Sequence, residues 1–239
     1  MAKVFVTGDT HGNLHWYKLF AFNMAHPELT KDDMVIVLGD FGTPWAFSIN
    51  HEDKVRLHKL KKLRFSLGVV DGNHDNFDYL YSLPSEPAFG GKASRIAEDI
   101  YWLKRGQVYN INGLKLFTFG GANSIDKKDR IEGVSWWPQE IPTVNEFGFG
   151  IDNLWGEARN KVDFILTHEA PLKALYELYN DDPYHPQKVK PYCVPKVFDI
   201  IANNAKFKHW YFGHHHQDKW VNEKYSCVFE SVIELKKEE

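Results

Sequence analysis

Lys3-Val4-Phe5-Val6-Thr7-Gly8-Asp9-Thr10-His11-Gly12 is the stretch that decides the fold. Val4 to Val6 is a short apolar run of β-forming residues, and it stops at a Gly-Asp turn. Asp9 and His11 stand two apart at the strand end, so both face one side. The same pattern recurs along the chain. Asp33 to Leu38 runs into Gly39-Asp40-Phe41-Gly42, and a run ending at Val70 leads into Gly72-Asn73-His74-Asp75. Val162 to Thr167 ends on His168, and His209 to Phe212 runs into Gly213-His214-His215-His216. Five apolar runs therefore end in side chains that bind hard or borderline metal ions.

Between these runs, Leu14 to Ala25 has helical spacing, with Leu14, Leu19, Phe22 and Met24 as its inward residues. Glu52 to Leu67 reads as an amphipathic helix with Val55, Leu60, Leu63 and Leu67 near one face. Its other face carries Lys54, Lys59, Lys61, Lys62 and Arg64 and reads as solvated. Phe65 to Val70 is an alternative site for the third strand. From Ile100 the texture changes to short strands, Ile100 to Leu103, Gln107 to Ile111 and Leu114 to Phe119, with an Asn112-Gly113 hairpin signal between the last two. Gly120 to Gly150 has no clean period and reads as an extended loop of functional type. Ser226 to Leu235 closes the chain as a strand. Strand–helix alternation followed by hairpins predicts an α/β fold of two packed mixed sheets flanked by helices. The absence of a linker or internal repeat predicts one domain over residues 1–239, with an excursion at about 120–150.

Composition narrows the function. The 239 residues are 43% hydrophobic, enough for a core, and the net charge of −3 provides no global basic field. Stable nucleic-acid binding is not indicated. The two cysteines, Cys193 and Cys227, form no Cys-x-x-Cys pair, as suits a reducing compartment. No secretory pattern precedes Lys3, and no apolar run approaches the ~20 residues a membrane helix needs. The expectation is a cytoplasmic protein without a membrane span.

The five motifs resemble, in order and spacing, those of the calcineurin-like metallophosphoesterase superfamily, in particular its small bacterial and phage-type members. The resemblance spans roughly Val4 to Phe229 and implies a four-layer sandwich. It also implies hydrolysis of phosphate monoesters or diesters by a hydroxide shared between two metal ions, ~3.5–4 Å apart in such sites. By that resemblance Asp9, His11, Asp40 and His216 hold one ion, and Asp40, Asn73, His168 and His214 hold the other. Mixed oxygen and imidazole donors suit divalent or trivalent Mn, Fe, Zn, Ni or Co, with Mn favoured. His74 matches the histidine beside the metals that serves as hydrogen-bond donor or leaving-group acid, and Asp75 is placed to orient it. The implied partner is a small phosphorylated substrate or nucleotide.

The chain departs from the protein Ser/Thr phosphatase branch, which carries an arginine soon after its second motif. Asp40-Phe41-Gly42-Thr43-Pro44-Trp45 has no basic residue. A substitute phosphate clamp is expected in the segment after Gly120-Gly121, at Arg130, against the alternative of an ion pair with Asp126 or Glu132. Trp136 and Trp137 are read either as a base-stacking pair or as a clasp for the long loop. His15, His26, His51, His58, His185, His209 and His215 fall outside the ligand set, and His215 should point away from the metals. Two other functions compete: a metal-dependent nuclease for short or cyclic nucleotides, and a non-catalytic scaffold on the same fold.

Overall fold

The computed structural model describes residues 2–45, 49–156, 158–179 and 193–237 of the chain. Three parallel strands begin it: β1 (Val4–Thr7), β2 (Met34–Leu38) and β3 (Ser66–Val70). Every residue in them is buried. A strand covered on both faces reads as an unbroken apolar run, and these do. The first sheet continues through β6 (Ile100–Leu103), β5 (Gly91–Ala97) and β4 (Ser85–Ala88), and β13 (Ile233–Glu234) adds to the far side of β1. The second sheet runs in the order β11 (Lys219–Asn222), β12 (Tyr225–Cys227), β10 (His209–Phe212), β9 (Phe164–Thr167), β8 (Leu114–Phe119), β7 (Gln107–Ile111). Its central strands β8, β9, β10 and β12 are parallel.

Period-two alternation sorts the strand residues into layers. Val4, Val6, Ile36 and Leu38 from the first sheet meet Leu116, Phe164, Leu166 and Tyr211 from the second in a shared core. Phe5, Val35, Val37 and Val69 face the other way. They pack against Leu19 of α1 (Tyr17–Ala25), Leu57 and Leu60 of α2 (His51–Leu60), and Tyr79 and Leu80 of α3 (Phe77–Ser82). On the opposite flank Phe117, Phe119, Ile165 and Trp210 meet α4 (Val144–Trp155), α5 (Leu172–Leu178) and α6 (Cys193–Asn204) through Phe147, Leu175 and Phe198. The layers run helix, sheet, sheet, helix, and the expected α/β class holds.

Several local expectations need correction. The first helix starts at Tyr17, not Leu14, because the Thr10 and His11 carbonyls capture the His15 and Leu14 amides in turns. Leu14 and Met24 are 67% and 76% exposed. The second helix ends at Leu60, and β3 begins at Ser66, which settles the alternative left open around Phe65. The irregular stretch from Gly120 ends early: Thr143 and Glu146 form a reciprocal capping box that starts α4. The terminal apolar run is two strands in two sheets. Between them the Asp218 carboxylate collects the amides of Phe229, Glu230 and Ser231 at 2.9–3.2 Å, which turns the chain from β12 toward β13. His185 lies outside the described residues.

Candidate metal centre

The motif residues leave the carboxyl ends of β1, β2, β3, β9 and β10, and the sandwich brings those ends together. Asp9, His11 and His216 form one group whose ligand-type atoms lie within 4.8 Å of one another. Asp40, His168 and His214 form a second group on the same measure. Asp40 reaches both: its Oδ1 is 3.4 Å from His168 Nε2 and its Oδ2 is 3.8 Å from His11 Nε2. Asn73 Oδ1 joins the second group, 3.0 Å from His168 Nε2. The seven residues expected as ligands therefore stand together, three in each group, with Asn73 beside the second.

The backbone is bent to achieve this. His11, Asp40, His214 and His216 have φ of 45°, 49°, 65° and 50°. Non-glycine residues rarely adopt such angles, and their clustering in one site marks strain held in place by the surrounding structure. The glycines of the motifs make room. A Cβ on Gly39 would stand 2.0 Å from His168 Nδ1, and one on Gly72 would stand 2.0 Å from Asp40 Oδ1.

The donor chemistry fits metal ions. His168 Nδ1 donates to the Leu38 carbonyl at 2.7 Å, which fixes the tautomer and leaves Nε2 as a lone-pair donor toward Asp40 and Asn73. Among the described residues, the buried Asp9 Oδ2 accepts no hydrogen bond, although His216 Nε2 is 3.0 Å away and His11 Nε2 is 3.6 Å away. The two imidazole Nε2 atoms are themselves only 2.9 Å apart. Three lone-pair atoms converging on one point, one of them an orphaned buried oxygen, are what a cation satisfies. Burial disfavours the Asp9 carboxylate, but His168 and the His11 and His216 contacts hold its pKa well below the ordinary value. Burial likewise opposes charge on His168, yet Asp40 and Asp9 raise it to about 9. The carboxylates demand positive charge, and a metal that supplies it releases the imidazole protons. His214 is pushed down to about 3, chiefly by burial, so its ring is neutral and ready to ligate.

His74 stands beside both groups without belonging to either. Its backbone N–H donates to Asp40 Oδ1 at 2.7 Å. Its Nε2 faces Asn73 Nδ2 at 3.0 Å and Arg130 Nη2 at 3.4 Å. Both are pure donors, so the neutral ring keeps its proton on Nδ1, which is buried and has no hydrogen-bond partner among the described residues. Burial lowers its pKa, and Arg130 and His11 add to the effect. Asp75 does not orient it. The Asp75 carboxylate accepts from Gly42 N and Gly72 N, both at 2.8 Å, and so ties the loops after β2 and β3 together. Its placement under the turns, rather than beside the ring, corrects the expected role.

Arg130 is both ion-paired and close to the site. Its Nη2 meets Asp126 Oδ2 at 2.6 Å and its Nη1 donates to the Ser135 carbonyl at 3.2 Å. Trp136 and Trp137 are buried, with Trp137 Nε1 donating to Asp78 and Lys127 sitting 3.9 Å over the Trp136 ring. They clasp the long loop. Asn73 Nδ2 also reaches that loop by donating to Ser124 Oγ, which in turn bonds Glu140.

Three residues escaped the sequence reading. Glu169, next to His168, is fully buried; its Oε1 accepts from Ala170 N and His215 Nε2, and its Oε2, without a hydrogen bond, lies 3.8 Å from His214 Nε2. His215 turns away from the ligand groups, as expected, into Glu169 and the Tyr179 hydroxyl at 2.7 Å. Lys18 donates to the carbonyls of Asp9 and Phe229 from beneath the site, and burial lowers its pKa to about 8. Arg56 of α2 joins His11, His74, Arg130 and His216 in lining a cavity of about 620 Å³. A larger hollow, about 720 Å³, lies by the β7–β8 hairpin and contains no carboxylate or imidazole.

A four-layer α/β sandwich with two carboxylate–imidazole groups at its strand ends defines a class of proteins built to hold two metal ions beside a cavity. A family model for calcineurin-like phosphoesterases matches residues 2–218, and the chain belongs to that family. No curated protein matches the chain.

Proposed function

We propose that the chain is a two-metal hydrolase of phosphate esters acting on small phosphorylated molecules or nucleotides. The observation that carries this reading is Asp40 reaching both ligand groups beside one cavity that His74 and Arg130 also line. Asp9, His11, Asp40 and His216 would hold one ion, and Asp40, Asn73, His168 and His214 the other. Manganese is the favoured metal for this mixed donor set. Two bound ions supply Lewis-acid activation of the ester and a deprotonated water at neutral pH. The protein's own residues do the rest. Arg130, fixed by Asp126, presents guanidinium N–H groups to the phosphoryl oxygens. While it faces the Asn73 and Arg130 donors, His74 Nε2 carries no proton. It would gain one there when an incoming anion engages those donors and favours the charged ring, and would pass it to the departing oxygen. The complete ligand set argues for an enzyme over a scaffold.

The reading takes residues 1–239 as one domain. The two cysteines are unpaired, one of them exposed, which supports a reducing compartment such as the cytoplasm. Among the described residues, no helix is long and apolar enough to cross a membrane.

The test is to load the protein with Mn²⁺, count bound ions and measure hydrolysis of p-nitrophenyl phosphate and bis-p-nitrophenyl phosphate. Two ions per chain with turnover of either ester are expected. Two ions and no turnover of any phosphate ester would overturn the reading.

A further inference from the structure

The cavity beside the two ligand groups has cationic side chains at two separate places. Arg130 stands at the His74 side, 3.4 Å from its ring. Arg56 stands at the other, beside the His11-Gly12 turn: a Cβ built on Gly12 would be 3.9 Å from its Nη1. The two arrive from different elements, Arg130 from the loop after β8 and Arg56 from the middle of α2.

The partners of Arg56 do not consume it. Nη2 donates to Glu52 Oε2 at 3.1 Å, but that carboxylate is 74% exposed, and a pair in water holds a guanidinium weakly. Asp53 Oδ1 is 3.8 Å from Nη1, beyond hydrogen-bond range, and accepts instead from Trp45 N. The Glu52 bond is the one hydrogen bond Arg56 makes among the described residues. Most of its five donors are therefore available to a ligand in the cavity. A single phosphate also fills little of about 620 Å³, a volume in the range of sites for nucleotide-sized molecules. Trp45, whose indole packs edge-on against Trp137 at 5.5 Å, also lines the cavity.

We propose that Arg56 is a specificity-determining residue that binds a second phosphate on the substrate, while Arg130 and the metal groups engage the phosphate being hydrolysed. The preferred substrates are then small esters carrying two phosphate groups. This rests on the two-metal phosphoesterase reading and refines it. Arg130 is tied to Asp126 by a short hydrogen bond at 2.6 Å, whereas Arg56 hydrogen-bonds Glu52 at its solvent-exposed end and stands 3.8 Å from the buried Asp53 carboxylate without a hydrogen bond to it. What Arg56 offers a second phosphate is its remaining guanidinium N–H groups, in the planar fork that phosphate oxygens match.

The experiment compares adenosine 3′,5′-bisphosphate with adenosine 5′-monophosphate on the Mn²⁺-loaded protein, as wild type, R56A and R56K. The wild type should favour the bisphosphate in kcat/KM by at least tenfold. R56A should lose about tenfold to a hundredfold more on the bisphosphate than on the monophosphate, the worth of a charge-assisted hydrogen bond, expressed mainly in KM. R56K should restore part of that ratio, because lysine keeps the charge without the planar fork. Melting temperatures of wild type and R56K should agree, and the monophosphate rate controls for any loss of stability in R56A, because Arg56 is half-buried beside the Asp53 carboxylate. Equal losses on both substrates, or none, would overturn the role of Arg56 while leaving the phosphoesterase reading intact. Absence of turnover on every ester by a wild type with two bound ions would overturn that underlying reading instead.

Discussion

At the scale of single residues, His74 and Glu169, both beside the ligand groups, should fail in different ways. The His74 ring meets the ligand groups only through the Asn73 amide nitrogen, not through a ligand-type atom, so His74→Ala should keep both ions and lose about 10²–10⁴-fold in kcat. The loss should shrink for p-nitrophenyl esters, whose leaving group needs little protonation, relative to alkyl phosphates. An equal loss across leaving groups would mean that His74 acts on the phosphoryl oxygens alone. Glu169 acts through others. It anchors His215 and aligns with His214, and its carboxyl is depressed to about 2 because His215 and His214 outweigh the cost of burying it. Glu169→Gln keeps the shape and removes the charge. We expect metal affinity at the Asp40–His168–His214 group to fall about tenfold to a hundredfold, read by titration calorimetry as a weakened second binding event. Two binding events of unchanged affinity would remove Glu169 from the metal centre. The candidate ligands were legible because they announce themselves locally, as acidic, imidazole or amide residues at the end of an apolar run. Glu169 was not, because successive strand-end residues normally diverge, and only the packing of His215 behind His214 shows where its carboxylate goes.

At the scale of elements, the strands that carry the site were easy to read and the outer helices were not. β1, β2 and β3 are buried on both faces, so their apolar runs are continuous. The β4–β5 hairpin is an edge with alternating exposure, Pro87 and few apolar residues, and it left no signal. Arg56 was hidden for a related reason. It belongs to a helix whose charged face looks uniformly solvated, and periodicity cannot tell a cavity from bulk water. α4 was overlooked although its start is written in the sequence as Thr143-x-x-Glu146. Both bonds of that box are made: Thr143 Oγ1 accepts from Glu146 N at 3.2 Å, and Glu146 Oε2 accepts from Thr143 N at 2.8 Å. Thr143→Ala should cost about 1 kcal/mol of unfolding free energy. Urea denaturation would read it as a lower midpoint with an unchanged slope. A change below a few tenths of a kcal/mol would mean that tertiary packing alone sets the helix start. The segment from Gly120 onward needs that fixed end, because Ser124 and Glu140 hold Asn73 from it.

At the scale of the whole molecule, one buried ion pair joins the pieces that the site depends on. Arg105, in the turn between β6 and β7, places Nη2 at 2.7 Å and Nε at 2.8 Å from Asp71 Oδ2. Asp71 lies directly after β3, accepts a second bond from Trp102 Nε1 at 2.9 Å, and its carbonyl receives Gly121 N. The same guanidinium reaches Glu146 in α4 and the Gln139 carbonyl. The first sheet, the long loop and the outer helix of the second sheet therefore converge on one cation. Burial opposes its charge, but Asp71, with Glu146, raises its pKa further above the ordinary value, so it stays charged at any working pH. Arg105→Met would leave Asp71 buried and without its counterion, at a cost of about 3–5 kcal/mol. Adding Asp71→Asn removes the stranded charge while keeping an acceptor for Trp102. The double variant should be more stable than Arg105→Met alone by at least ~1 kcal/mol, which denaturant melts of the metal-free protein can resolve. If the two losses simply add, the pair is not coupled, and the loop is held by the Gln139 and Glu146 contacts instead. Coupling with restored stability but lowered phosphoesterase rate would locate the value of the buried pair in aligning Asn73 and the loop, not in holding the fold together.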